Sequence, residues 1–370
     1  MLRSSRQRLV WLTALAILCA AQGRLIAQSS QDKLVSAELL KHANLKMLWQ
    51  NELPIKKGES VEHVLLIANR LYVISDRNYV LSLNRQDGTI VFGKTVSPAG
   101  LLTSGMMLHG DELLYTSGSR LVRVDAESGL ERKSTDIGQG MTCPAARNGS
   151  YFYAAGVDKR LHAFSADNMV QAFEVSADNN SVISSILADE NFVVFATQKG
   201  NVICITPNKA TCLWQFDAAG AIAGPVVRDW MSLFFASKDT NVYRVDMMQA
   251  PGQKRMVWKY QANGLLTQAP RVTQKVVYQH VVSKGVTAID KETGSPIWSV
   301  PGGLDLLAEA KGKAYIFTNA GTLVVMDNAK AGKLYSVNFA QVSKYAANAT
   351  DDKIYIADKQ GRLACLQPVE

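Results

Sequence analysis

An internal repeat of about forty residues runs through most of the chain and limits its fold to a few architectures. Each copy consists of an apolar strand, a polar turn, a second apolar strand and a closing polar or acidic residue. The closing residues lie 41, 40, 41, 40, 44, 37 and 40 positions apart. They are Asn84, Asp125, Ser165, Thr206, Asp246, Asp290, Asp327 and Gln367. A period of this length indicates stacked supersecondary units.

Period-two alternation and turn residues indicate four short strands in every unit. The sixth unit shows them best, at residues 268–274, 276–281, 285–290 and 296–301. Four antiparallel strands in forty residues are typical of a propeller blade. Because one blade cannot bury both of its faces, the blades must stack around an axis. The sequence therefore predicts one all-β domain, an eight-bladed β-propeller.

In five of the units the predicted outer strand carries a large aromatic side chain eight positions after the closing residue. The second unit has Lys133 there, and four extra residues in the fifth unit move its Trp258 to position twelve. Packed into the neighbouring blade, each ring would bury roughly 150–250 Å². The predicted docking residues are Trp49, Phe92, Phe173, Trp214, Trp258, Trp298 and Tyr335.

The eighth unit ends without an outer strand, whereas an unassigned strand at residues 46–51 precedes the first unit. We expect this strand, which contains Trp49, to pair with the C-terminal blade and remove the last open sheet edge. Residues 28–43 before it are predicted to be a polar lead segment with a short helix between Lys33 and His42.

Residues 1–27 have the pattern of a secretory signal peptide, with cleavage between about residues 21 and 27. A basic region precedes 13 apolar residues at 9–21. Spanning a bilayer takes about 20 residues, so an uncleaved anchor is the weaker alternative. Lipidation of Cys19 stays open but is disfavoured, because Leu18 occupies a position where a bacterial lipobox has a small residue. We expect an exported chain that is periplasmic or outer-membrane-associated, with secretion as another outcome.

The domain boundaries follow from these segments, with the propeller predicted over residues 44–370. Its charge is modest, because the formal net charge of +8 falls to about +4 or +5 without the arginines of the signal peptide. The propeller has no run of Lys and Arg, so we expect no nucleic-acid partner. Cys204 and Cys212 flank a predicted hairpin turn and could form a disulfide if the register brings them together.

Residues 288–298, AIDKETGSPIW, resemble the tryptophan-docking motif of the quinoprotein-like (PQQ-like repeat) propeller superfamily. Weaker copies lie at Asn84–Gly88 and Asp125–Gly129. The same repeat serves dehydrogenases and non-catalytic proteins, so this resemblance implies a fold and not an activity. Chain length, a lone propeller and a signal peptide are similar to outer-membrane assembly scaffolds of the BamB type. That similarity implies protein partners in the cell envelope.

Resemblance to quinoprotein dehydrogenases would imply pyrroloquinoline quinone under two adjacent cysteines, with calcium beside it. This chain has no adjacent cysteines, and Asp305 is the main carboxylate on the predicted channel strands. We therefore expect no catalytic residue, no cofactor and no metal. A dehydrogenase-like enzyme or a small-ligand binder that uses the axial channel is the alternative. The recurring aspartates are expected to stabilise turns.

Two surfaces are candidates for binding a protein. Turns between the second and third strands carry a rim of cations, and solvated turn residues are the alternative reading. Trp230 lies in the turn between the first two strands of blade five, on the opposite face, unless it folds back under its blade. The candidate partner-binding residues are Trp230, Arg77, Arg120, Lys159, Arg160, Lys199 and Lys238. We expect a monomeric, non-catalytic scaffold in cell-envelope or outer-membrane assembly, with peripheral membrane association.

Overall fold

The computed structural model describes residues 33–100, 103–177, 179–248 and 254–369. The predicted signal peptide with Cys19, and the start of the lead segment, lie outside the described residues. Within the described ranges, 32 strands form eight four-stranded antiparallel sheets, and one helix precedes them. The prediction of an eight-bladed propeller is confirmed. No helix of the described part is long and apolar enough to cross a membrane.

The helix and the first seventeen strands follow in chain order, with β1 belonging to the last blade. The helix is α1 (Ala37–His42), and the first strand is β1 (Leu45–Glu52). Blade 1 contains β2 (Val61–Ile67), β3 (Arg70–Ser75), β4 (Tyr79–Asn84) and β5 (Ile90–Thr95). Blade 2 contains β6 (Thr103–His109), β7 (Glu112–Ser117), β8 (Arg120–Asp125) and β9 (Glu131–Asp136). Blade 3 contains β10 (Ala146–Arg147), β11 (Tyr151–Ala155), β12 (Arg160–Ser165) and β13 (Gln171–Ser176). Blade 4 contains β14 (Ile183–Ala188), β15 (Val193–Thr197), β16 (Asn201–Ile205) and β17 (Cys212–Asp217).

The remaining strands complete the ring. Blade 5 contains β18 (Ile222–Asp229), β19 (Ser232–Ser237), β20 (Asn241–Asp246) and β21 (Met256–Gln261). Blade 6 contains β22 (Arg271–Val272), β23 (Val276–Val281), β24 (Gly285–Asp290) and β25 (Pro296–Pro301). Blade 7 contains β26 (Gly303–Ala310), β27 (Lys313–Thr318), β28 (Thr322–Asp327) and β29 (Gly332–Asn338). Blade 8 contains β30 (Lys344–Ala346), β31 (Ile354–Ala357) and β32 (Arg362–Pro368), with β1 as its outer strand.

The ring closes as the sequence predicts, because β1 pairs antiparallel with β32 and places Trp49 opposite Cys365. The short helix expected between Lys33 and His42 is present. It begins at Ala37, after the cap Ser36, whose hydroxyl accepts a hydrogen bond from the backbone N–H of Leu39. Leu34 is buried with its neighbour Val35 against blades 7 and 8, so the described part of the lead segment, residues 33–43, packs on the propeller.

The predicted docking rings share one position in their blades. Each lies opposite the third strand, directly beside a β-bulge, and Trp258 keeps this register despite the insertion before it. The ring of Trp258 packs on Gly294 of the next blade, where an added β-carbon would lie 2.7 Å away. The ring of Trp49 covers Gly88 in the same way. Glycine is needed at these turns because φ is +74° and +75° and the ring leaves no room for a side chain.

The predicted turn role of the recurring acids also has a direct structural basis. The carboxylate of Asp290 accepts hydrogen bonds from the backbone N–H groups of Glu292 and Thr293, at 3.1 and 2.7 Å. Asp125 and Asp327 accept equivalent bonds in their own turns. Asp246 accepts from the Ser232 hydroxyl instead.

The Cys204–Cys212 disulfide is not formed, and both residues are free thiols. A bulge places Cys212 opposite Ile205, while Cys204 lies opposite Trp214. Adjacent residues of a strand point to opposite faces of the sheet. Cys204 therefore points into the core, and Cys212 is exposed on the outer strand.

Candidate functional site

The propeller has two faces, each formed by a different set of connections. On one, which we call the loop face, the turns between second and third strands contact the loops that enter each blade. Lys238 illustrates this contact, because its N–H donates to the Ala221 carbonyl at 2.8 Å. The opposite face, which we call the Trp230 face, combines the other two sets of turns. There the N–H of Met247 donates to the carbonyl of Met231 at 2.8 Å.

The structure brings the predicted cations to the loop face, but it interrupts the rim that they were expected to form. Arg160 forms an ion pair with Glu174 on the neighbouring outer strand. The Arg120 Nε donates to the hydroxyl of Ser134 at 2.7 Å. The Nζ of Lys199 donates to the carbonyl oxygen of Asn179 at 3.0 Å. The remaining predicted cations on this face are Arg77, Lys159 and Lys238.

Lys238 differs from its neighbours because it lines a groove of about 430 Å³ beside the channel mouth. Its ammonium group has no ion pair or hydrogen bond among the residues that the structure describes. The adjacent Asp239 does not neutralise it by direct contact, because its carboxylate accepts hydrogen bonds from the hydroxyl of Tyr243 and the N–H of Asn241. Burial alone would raise the pKa of Asp239, but these bonds outweigh it and lower that pKa.

Polar side chains complete the groove: Ser184 and Gln198 come from blade 4, and Thr267 comes from the loop that enters blade 6. A single ammonium group among hydroxyl and amide groups suits a carboxylate or backbone carbonyl of a bound polypeptide. Sequence reasoning did not select the three polar residues, because the groove combines side chains of blade 4 with the loop that enters blade 6. We call this site the Lys238 groove.

The axial channel contains an ion pair between an aspartate and an arginine. Asp305 on β26 accepts two hydrogen bonds from Arg271 on β22, at 3.0 and 2.7 Å. Burial would lower the pKa of Arg271, and the contact with Asp305 outweighs it and raises that pKa. The same carboxylate also accepts the backbone N–H of Leu306 at 2.8 Å. The predicted channel carboxylate is therefore engaged by a cation of its neighbouring blade.

These channel residues do not fit the quinone and calcium of the dehydrogenases. Calcium prefers several oxygen ligands, and here the principal carboxylate faces a guanidinium group. Burial lowers the pKa of the nearby His280. In the described ranges, no three His, Cys, Asp or Glu residues are arranged to hold a metal ion.

Trp230 occupies the turn between β18 and β19, on the face opposite the Lys238 groove. Its side chain is 78% exposed, so it does not fold back under its blade. Its backbone is fixed, because its carbonyl accepts a hydrogen bond from Arg228 at 2.7 Å. Met248, which the sequence analysis did not select, is exposed beside it. The insertion in the fifth unit was the signal that could have identified it.

Comparisons with known proteins agree on the fold. The model of the family described as outer membrane protein assembly factor BamB matches residues 7–216 and 211–369. A crystal structure of BamB from Moraxella catarrhalis has 14% sequence identity and a TM-score of 0.65, covering 87% of this chain and 97% of that one. The computationally designed Ika8 protein has 12% identity and a TM-score of 0.65, covering 85% and 98%. No curated protein matches. At these identities the structures support the fold alone.

Proposed function

The chain belongs to the outer membrane protein assembly factor BamB family, and from this premise we propose that it is a non-catalytic scaffold that binds a protein partner in the cell envelope. The partner belongs to the machinery of outer-membrane assembly. The N-terminal pattern of a signal peptide supports export to the periplasm, where such a partner would be met. Protein binding through loops of a rigid ring agrees with the general use of loops for function.

The observation that carries the proposal is the Lys238 groove. Three of the six predicted cations of the loop face are engaged by their own neighbours, whereas Lys238 lines an open groove. A partner carboxylate that reaches it would form an ion pair partly shielded from water. Such a pair is stronger than one on a flat surface, because solvent screens it less.

The non-catalytic part of the proposal is supported by the Arg271–Asp305 pair at the axis. A carboxylate that already accepts two hydrogen bonds from a guanidinium group is occupied by that contact and is not free to take a proton from a substrate. If the alternative were right, the purified chain would contain a bound quinone with its own near-ultraviolet absorption band, or calcium would raise its melting temperature.

Site-specific crosslinking tests where the partner binds. A photoreactive amino acid is placed at Thr267 in the Lys238 groove or at Gln360, an exposed residue of blade 8 on the same face. Each variant is expressed in the envelope, irradiated, and its crosslinked protein identified by mass spectrometry. We expect one outer-membrane assembly protein at Thr267 and not at Gln360. Crosslinking at Gln360 alone, or no crosslinked protein at either position, would contradict the proposal.

A charge reversal then tests the role of the ammonium group. Lys238→Glu is expected to weaken binding of the crosslinked partner about three- to tenfold, the equivalent of ~0.7–1.4 kcal/mol. Lys359→Glu, in the corresponding turn of blade 8, is the matched control because it changes the net charge equally. Equal affinities for the two variants would show that only the overall charge matters and that the groove is not the binding site.

A further inference from the structure

Trp230 has a backbone conformation that disfavours a bulky side chain. It is the first central residue of its turn, with φ at +50°. The equivalent positions of other blades hold Ala68, Gly110 and Lys311, also with positive φ. Left-handed backbone is strained for a bulky residue, and an indole ring that is 78% exposed gains little packing in return. The fold therefore gives no reason for a tryptophan at this position.

Blade 5 departs from the repeat a second time on the same face. Its third and fourth strands are separated by an insertion, and Met248 at the start of that insertion is 73% exposed. The N–H of Met247 donates to the carbonyl of Met231, a bond that the equivalent residues of other blades also form, and it places Met248 beside the Trp230 turn. In repeat proteins, insertions in single repeats map to loops that often lie on the binding face. Two independent departures thus meet at one place.

Between Trp230 and Met248 lies a pocket of about 340 Å³. Its cations are paired with neighbouring acids, since Lys291 contacts Asp229 at 2.6 Å and Arg244 contacts Glu292 at 2.7 Å. Charges paired in this way do not attract a charged ligand, and they are complementary to an uncharged one. The volume is at the lower end of the ~300–1,000 Å³ range of ligand sites, enough for a few side chains. We call this pocket, with its tryptophan and methionine, the Trp230 pocket.

We propose that the Trp230 pocket is a second docking site, independent of the Lys238 groove, that binds apolar side chains of an extended polypeptide segment. An indole ring offers a large, rigid apolar surface. A methionine side chain is flexible and polarisable, so it adapts to apolar groups of different shapes. The bound segment is therefore recognised by its apolar side chains and not by one exact sequence. Because the two sites lie on opposite faces, the propeller can hold two polypeptides at once.

Peptide binding to the full exported chain tests this proposal. The probe is a fluorescein-labelled peptide in which the unit Ser-Phe-Thr-Leu is repeated three times, and fluorescence anisotropy gives its Kd. The control peptide has Ser in place of every Phe and Leu. Trp230→Gly is the main variant because Gly110 occupies the same turn position in blade 2. Met248→Gln keeps the side-chain length and removes the apolar thioether.

We expect the control peptide to bind at least tenfold more weakly than the probe. Trp230→Gly is expected to raise the Kd of the probe at least tenfold with no fall in melting temperature. Met248→Gln is expected to raise this Kd about threefold, because the thioether contributes less to binding than the indole ring. Lys238→Glu should leave this Kd unchanged, although it weakens the partner of the loop face. Equal binding of the two peptides, or unchanged probe binding by Trp230→Gly, would overturn the second site. Loss of probe binding in Lys238→Glu would overturn its independence. Failure of the loop-face experiments alone would leave the second site standing.

Discussion

Replacing Trp49 with alanine removes the ring that joins the last blade to the first. The Trp49 ring packs over Gly88 of blade 1 and contacts the buried Tyr355 of blade 8, with ring centroids 6.3 Å apart. Truncating a fully buried tryptophan costs about 3–5 kcal/mol. Because Trp49 is only partly buried, we expect Trp49→Ala to lower the free energy of unfolding by about 2–3 kcal/mol. Leu48→Ala is the control, since this neighbouring side chain is exposed and should cost no more than about 0.5 kcal/mol.

Urea unfolding followed by circular dichroism measures both variants, and hydrogen exchange shows where the loss occurs. Closure of the ring predicts faster exchange in β32 and also in blade 1, on both sides of the seam. A difference below about 0.5 kcal/mol between the two variants would refute the closing role of Trp49. Faster exchange confined to β1 would refute the coupling between the blades.

Three further results are expected. Burial would raise the pKa of Glu112, but ion pairs with Arg123 and Arg147 outweigh burial and lower that pKa. The ionised carboxylate therefore stabilises the fold at neutral pH, and this stabilisation is lost as the pH falls. Glu112→Gln should therefore lower the free energy of unfolding by about 1–3 kcal/mol at pH 7, with a difference from wild type that shrinks below about pH 4 in urea titrations. In the folded chain a thiol reagent should label Cys212 quickly and Cys204 only after unfolding, because Cys204 is buried and burial raises its pKa to about 12. Peptide mapping identifies the labelled thiol, and labelling in the opposite order would show that the register is wrong. Trp230→Gly should be as stable as wild type or up to about 1 kcal/mol more stable. The reason is that relief of roughly 1–2 kcal/mol of strain in the left-handed backbone exceeds the entropy cost of glycine. A lower melting temperature would show that the indole ring supports the fold.

The period of the repeat was sufficient to predict the blades and their closure. A four-stranded unit that cannot bury both of its faces must stack on a neighbouring unit, so a forty-residue repeat leaves few possible folds. Trp258 shows the strength of this constraint, because it reaches the same register as the other rings after four additional residues. The position of Trp49 was predictable for a related reason. The N-terminal strand has no blade of its own, and the C-terminal blade lacks an outer strand, so the two are expected to pair.

The sites were harder to predict because they depend on neighbours that are distant in the sequence. The pairing of Arg160 with Glu174 spans two strands, and the pairing of Arg271 with Asp305 spans two blades. Only the folded ring reveals that Lys238 remains without an ion pair in the described part of the chain.

The sequence by itself determined the number of blades, the closing strand and the position of the docking rings, since all of these follow from periodicity and from the need to bury apolar strands. Tertiary structure alone decided which side chains are available to bind. One bulged residue separates Cys204 from Cys212, and one turn conformation exposes Trp230. Both outcomes depend on backbone geometry at single positions, which the repeat pattern does not specify.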